Sequence, residues 1–311
     1  MSHWLKDAII EGMTMLDVED ALAAQGAHFA QKGEWRKGVI SPSLVSVNCP
    51  LQRVKIFLGL APVPGVAPRM ATKAGRPDAV GLVNMVRGFD GEALIVAAIH
   101  KAMPSWVIDS APSFTVDWTD ASNGYQYAGH PDVLGYDQAL ELVQIKTPSV
   151  FKLERVEKLG DDDALASYLP QMATEMYVTR KAGIPVQRNH LVLFSPEGTP
   201  KQNQPRLHVV TLEWEESLAT IPEQAAREIH DDAARAMVLN QWPEAYPKTS
   251  WDVWPCGYCR YARLGDLEVP ACDDHEKWRS NAQRTNDSDE HGAGSGIVTD
   301  GAGNPTDVLG R

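Results

Sequence analysis

The sequence predicts an α/β fold, a sheet core flanked by helices. The first observation is a change of period. Helical spacing of apolar residues holds to about residue 103, and two-residue alternation follows it. The second is order: helices come first, then a strand meander, a helix, two strands and a final helix. The third is bulk, since 43% of the 311 residues are apolar and 23% are charged, ample for a packed core. By length the chain is one large domain or two small ones.

Residues 1–38 read as an appended helical arm. Thr14 is placed to cap a helix running through Leu16, Leu22, Ala23, Ala27 and Ala30 to about Gly33. Ser41-Pro42 opens the body, with Ser at the N-cap and Pro in the first helical position. Pro50 interrupts any continuous helix and puts Cys49 at a junction. A helix over 50–58 then stops at Gly59. Residues 77–103 are helical in pattern, although Gly81, Gly88 and Gly91 each cost about 1 kcal/mol against alanine. Strands are expected at 113–118, 125–129 and 140–147, with Asn123-Gly124 as the turn between the first two. A helix over 163–181 follows, with Asp161-Asp162-Asp163 as its acidic start. Strands at 189–194 and 207–214 precede a long helix over 221–240. Residues 251–272 are irregular and contain Trp, Cys and Gly. Residues 280–311 are glycine-rich and aperiodic, and read as a disordered tail. The chemistry is therefore expected within 39–279.

Composition narrows the function classes. A net charge of −12 argues against a protein that coats nucleic acid through a global basic surface, and leaves room for a local basic groove. No stretch approaches the roughly 18–20 apolar residues of a membrane helix. The first residues lack the layout of a secretion signal. The expectation is a soluble, cytoplasmic protein without a membrane partner. In that setting the four cysteines should be reduced thiols or metal ligands.

The stretch Gly129-His130-Pro131-Asp132, followed by Glu141-Leu142-Val143-Gln144-Ile145-Lys146-Thr147, carries the most chemistry. On a strand, Gln144 and Lys146 share one face while Val143 and Ile145 share the other. An aspartate at the end of the preceding strand can converge on that polar pair. Asp132 with a second oxygen ligand suits Mg²⁺ or Mn²⁺, and a lysine beside them stabilises charge on water or phosphate. An ordinary strand with a polar edge explains the same residues. His100, His190, His208 and His230 have no metal-ligand spacing. Lys152, Arg155, Lys158, Arg180, Lys181 and Arg188 surround the segment in sequence and are candidates for phosphate contacts.

Asp132 and Gln144-Ile145-Lys146 resemble the PD-(D/E)XK nuclease signature, with Gln144 where the family carries an acid. Arg87-Gly88-Phe89-Asp90-Gly91-Glu92-Ala93 is similar to the first motif of its RecB-like and lambda-exonuclease-like branch, with Glu92 as the match. A solvated helix glutamate is the bland reading of Glu92. Gln171 resembles the branch's helical glutamine. The tyrosine expected four residues later is replaced by Glu175, and Tyr177 matches only loosely.

Cys49, the Cys256-Gly257-Tyr258-Cys259 pair and Cys272 form a one-early, three-late arrangement. It resembles the iron–sulfur nucleases of that family, the CRISPR-associated exonucleases and the AddB nuclease domain. In those relatives four cysteines staple the ends of the domain around a 4Fe–4S cluster. His275 is a substitute for Cys272, whose gap is long. Structural zinc and plain buried thiols remain the alternatives. Trp251 and Trp254 flank the pair and suit packing beside a cluster or base stacking.

The resemblance covers about residues 41–275. It implies a restriction-endonuclease-like core, a mixed central sheet flanked by helices, with the cluster stapling early and late segments. It further implies a divalent-metal-dependent DNA exonuclease acting on single strands or free ends. Glu92, Asp132, Gln144 and the Ile145 carbonyl would hold Mg²⁺ or Mn²⁺. Lys146 would be catalytic, and Gln171 and Tyr177 would position the DNA. Recombination or CRISPR-adaptation proteins are the partners so implied. Gln144 leaves the site one negative charge short, so a weak or inactive nuclease fold that binds DNA or a partner is the second reading. A zinc-stapled interaction protein is the third.

Overall fold

A computed structural model describes residues 3–30, 36–47, 49–60, 79–111, 113–195 and 206–243. Cys256, Cys259, Cys272, His275, Trp251, Trp254 and the 280–311 tail lie outside the described residues.

The chain begins with two helices where the spacing predicts one, α1 (Trp4–Met15) and α2 (Val18–Ala30). Thr14 does not cap a helix. It sits in the last turn of α1, where its hydroxyl donates to the Glu11 carbonyl at 2.7 Å. Asp17 performs the capping instead, its carboxylate accepting the Asp20 N–H at 2.8 Å. Helix α1 buries Leu5 and Ile9 completely. Strand β1 (Val39–Ile40) leads into α3 (Pro42–Val45), where the Ser41 hydroxyl accepts the Leu44 N–H as the motif predicts. Helix α4 (Pro50–Phe57) starts at Cys49, its buried N-cap residue, and ends before Gly59 at φ 67°.

Helix α5 (Ala79–Ala102) is the predicted long helix. Strand β2 (Val107–Ser110) was not expected, and neither was β5 (Val133–Tyr136). Both are short, and β5 is a continuous apolar run without alternation because both its faces are covered. Gly135 lets the Trp106 ring lie on β5; a Cβ there would fall 2.2 Å from the ring. Strands β3 (Val116–Thr119) and β4 (Gln126–Gly129) form the predicted hairpin, with Gly124 at φ 76° in its turn.

Strand β6 (Leu140–Lys146) is followed by α6 (Val150–Leu159), also unexpected, capped by the Ser149 hydroxyl. Helix α7 (Asp161–Lys181), strands β7 (Arg188–Ser195) and β8 (Arg206–Glu213), and helix α8 (Thr220–Leu239) complete the order.

The described strands form a five-stranded sheet, β2-β5-β6-β7-β8, and a three-stranded sheet, β1-β4-β3. The larger sheet is mixed: β6 and β7 are parallel, and the other pairings are antiparallel. A parallel pair needs a long crossover, which α6 and α7 supply. Alternation sorts the two faces. Val133, Val143, Ile145, Val192 and Phe194 pack with Leu5, Ile9, Ile95 and Ile99 of α1 and α5. Leu134, Leu142, Leu191 and Leu193 turn the other way, toward the side of α6 and α7. The fold is thus a mixed α/β fold flanked by helices, and β6 lies at its centre with Gln144 and Lys146 on the α7 face. Among the described residues no helix is long and apolar enough to cross a membrane.

Candidate active site

Three segments meet at the carboxyl end of β6. Asp132 immediately precedes β5, whose register pairs Val133 with Val143, so Asp132 arrives beside Gln144. Its backbone N–H donates to the Val143 carbonyl at 3.2 Å, and its Oδ2 accepts the Ile145 N–H at 2.5 Å. The third segment is α5, which crosses the end of β6 at Gly91. A Cβ on Gly91 would lie 2.4 Å from the Thr147 methyl and 3.2 Å from the Phe194 ring. Only a glycine allows this approach, and the next residue, Glu92, is thereby brought into hydrogen-bonding contact with Asp132.

The electrostatics follow from burial. Asp132 is 8% exposed. Burial raises its carboxyl well above the usual carboxylate range, and Glu92 adds to the rise through its charge and its hydrogen bond. Lys146 and the Ile145 N–H pull the other way. Gln144 is 1% exposed, and its Oε1 has no hydrogen-bond partner among the described residues. Its Nε2 donates to Glu175 Oε1 at 3.0 Å.

Glu175 is the residue that sequence reasoning passed over. It occupies the position where a tyrosine was expected and lies one turn beyond Gln171, on the same helix face. It is 4% exposed and accepts from the side chains of Gln144, Gln171 and Asn189. Burial pushes its carboxyl up to about 8; Asp132 adds to this, against Lys146 and the amide donors. Its signal in the sequence was a lone acid inside Met172-Ala173-Thr174-Glu175-Met176-Tyr177-Val178. Asn189 carried no signal at all, because only the parallel register of β7 with β6 brings it there.

The solved structures similar in fold include the alkaline exonuclease LHK-Exo from Laribacter hongkongensis, at 16% identity, TM-score 0.45, over 70% of this chain and 96% of that one. LHK-Exo in complex with dAMP aligns at 15% identity and TM-score 0.43, over 70% and 95% of the two chains. SSO0001 aligns at 11% identity and TM-score 0.39, over 81% and 96%. No family model and no curated protein matches the sequence.

The structure brings together Glu92, Asp132, Gln144, Lys146 and Gln171 of the residues the sequence proposed. It does not bring Tyr177 there. That side chain is 2% exposed, packs on Trp118 and Tyr127, and donates its hydroxyl to Glu223 at 3.1 Å. It lies two residues past Glu175, on another side of the helix. Arg180 and Arg188 are also engaged elsewhere. Arg180 donates to the Val186 carbonyl, and Arg188 pairs with Glu141 and Glu213. Lys152 donates to the Tyr168 hydroxyl at 2.9 Å. Glu141, the next acid on β6, points away from the site and is held by Arg188 and His190.

The donor set tests the fit of a divalent cation. Among the described residues no three His, Cys, Asp or Glu side chains group closely enough to hold a metal by themselves. Glu92 and Asp132 are in contact, and the register sets Asp132 opposite Gln144, whose buried amide oxygen has no partner among the described residues. Those are hard oxygen donors of the kind Mg²⁺ and Mn²⁺ take, and the unsatisfied Gln144 Oε1 would otherwise cost about 1–3 kcal/mol. The residues fit the ion.

Proposed function

We propose that this protein is a divalent-metal-dependent DNA nuclease of the PD-(D/E)XK type, an exonuclease acting at DNA ends or on single strands. The observation that supports it is the meeting of Glu92, Asp132, Gln144 and Lys146, from three separated segments, at the end of one central strand. Glu92, Asp132, Gln144 and the Ile145 carbonyl are the groups that would hold the cation. When bound, Mg²⁺ or Mn²⁺ supplies Lewis acidity for phosphodiester hydrolysis. Lys146, half-buried on the same face as Gln144, stabilises negative charge at the attacking water or the phosphate. Gln171 stands one turn from Glu175 on α7, placed to orient the strand.

The iron–sulfur proposal rests on Cys49, buried at the start of α4, and on the late cysteine group. In this reading residues 39–279 are the nuclease domain, and a 4Fe–4S cluster ties the late segment to α4. The cytoplasm suits such a protein. Metal analysis of anaerobically purified protein should find about four irons per chain; one zinc and no iron would leave the zinc-stapled reading.

A second reading has one supporting observation, the lack of a third acid grouped with Glu92 and Asp132 among the described residues. It makes the protein a DNA-binding or partner-binding relative of weak or no activity. End-labelled single- and double-stranded DNA, incubated with the protein and Mn²⁺ or Mg²⁺, separates the two. Shortened products that disappear in chelator support the nuclease. Binding without any product supports the second reading.

A further inference from the structure

Gln144 carries a neutral amide on the strand beside Asp132, and the residue behind it is the buried Glu175 carboxyl group. We propose that Glu175 is the positioning residue of the cation site, forming a carboxylate–amide–cation relay through Gln144. The proposal rests on the reading of Glu92, Asp132 and Gln144 as the cation site.

The geometry is specific. Gln144 Nε2 donates to Glu175 Oε1 at 3.0 Å. An ionised Glu175 offers only acceptors, so in that form it takes the amide nitrogen and not the oxygen. The amide is thereby oriented, and Oε1 is left as the atom available to a cation. That oxygen is buried and has no partner among the described residues. Glu175 itself is held in place by Asn189, whose Nδ2 reaches its Oε2 at 3.3 Å and also the Met172 carbonyl at 3.3 Å. Gln171 supplies another side-chain hydrogen bond. A carboxylate gripped by three amides, one of which turns its free oxygen outward, is more than a packing device for an apolar core. It is the amide counterpart of the carboxylate that orients a metal-bound histidine and raises its basicity.

The arrangement changes what Gln144→Glu should do. On the sequence alone that substitution restores a missing anion. In the structure it sets two carboxylates within hydrogen-bonding distance of each other, where like charges repel. The productive change is the exchange of both groups, Gln144→Glu with Glu175→Gln, which keeps one carboxylate, one amide and the bond between them.

The test is Mn²⁺ titration of the full chain, followed by the loss of the free-ion EPR signal, with thermal unfolding to check folding. Asp132→Asn should abolish binding at the site. Glu175→Gln should weaken it roughly tenfold or more, the usual cost of losing a group that orients a ligand. The exchanged double variant should return to within about threefold of the original affinity. Unchanged binding in Asp132→Asn would overturn the site reading itself. Loss in Asp132→Asn with wild-type binding in Glu175→Gln would overturn the relay alone. So would a folded double variant that binds no better than Glu175→Gln. If Glu175→Gln does not fold, the double variant decides: folded with near-original affinity, it supports the relay, and folded with weak affinity it refutes it.

Discussion

Lys146 stands two positions from Gln144 along the strand and Asp132 directly across the sheet from it, and they make opposite predictions. Lys146→Ala should reduce cleavage by about 10² or more, since charge stabilisation of this kind is worth that much. Its side chain is half-buried at a strand end, so the fold should survive. Cleavage rates beside a far-UV spectrum check both statements, and full activity in the variant would remove the nuclease assignment from these residues. Asp132→Asn trades in the other direction. Asp132 is buried against Glu92, and a neutral amide keeps an acceptor for the Ile145 N–H while relieving the confinement of two acids. In chelator the variant should be more stable, by on the order of 1 kcal/mol, and it should no longer gain stability from Mn²⁺. A melting temperature equal to the parent's in chelator would count against that account.

At the level of elements, the site exists because helix α5 touches the end of strand β6. Gly91 is the contact point. Gly91→Ala forces a Cβ into the Thr147 methyl and the Phe194 ring, both in a packed region that cannot yield freely. Overpacking of this sort costs about 1–3 kcal/mol. The larger consequence is displacement of Glu92, so Mn²⁺ affinity should fall more than stability suggests. A variant with normal Mn²⁺ binding would show that Glu92 does not depend on this crossing. Gly12 plays the same part between α1 and α5, where a Cβ would overlap the Ala98 carbonyl. Helices α1, α5 and the sheet are therefore locked at two glycines. Both crossings were invisible as such in the sequence, where Gly91 counted only as a weak point in a helix. A glycine needed for close approach looks the same in one dimension as a glycine that merely costs helix propensity.

At the scale of the whole molecule, the first turn of α1 is tied to the sheet face it packs against by a chain of hydrogen bonds. The Leu5 N–H donates to His3 Nδ1 at 3.3 Å, and His3 Nε2 meets Thr211 Oγ1 at 2.8 Å. Thr211 Oγ1 lies 2.8 Å from His190 Nδ1, and His190 Nε2 lies 3.1 Å from Glu141 Oε2. Because His3 Nδ1 accepts the Leu5 N–H, a neutral His3 donates through Nε2 to Thr211. Burial first, and then the nearby His190, lower the pKa of His3 below its ordinary 6.5. The sign follows directly. Below pH 6.5 the unfolded chain takes up this proton and the folded chain resists it, so stability falls as pH falls below 6.5. His130 and His230, also lowered by burial, add to the same slope. His3→Asn should make the loss of melting temperature between pH 7 and pH 5 shallower than in the parent. Parallel pH profiles would show that the docking of α1 is not what titrates.

The elements with a clear period were legible in one dimension. The long helix before residue 103, β6 with its polar pair, the β7–β8 hairpin strands, α7 and α8 all stand close to where their apolar spacing puts them. So do the local signals that need no partner, Ser41-Pro42, Gly59 and Asn123-Gly124. Asp132, Gln144 and Lys146 were readable because a strand's two-residue alternation fixes which side chains share a face. Glu92 and Gln171 were reached through resemblance to known motifs. What the sequence could not express was the sharing of space between distant segments. Strand β5 is short and largely covered on both faces, and β2 is a short edge strand of mixed residues, so neither shows a clear alternation. Asn189 needed the parallel register, and Tyr177 proved to belong to an aromatic cluster. Glu175 became meaningful only when its carboxylate was seen against the Gln144 amide, because a hydrogen bond across 31 positions is decided by packing and leaves no period in the chain.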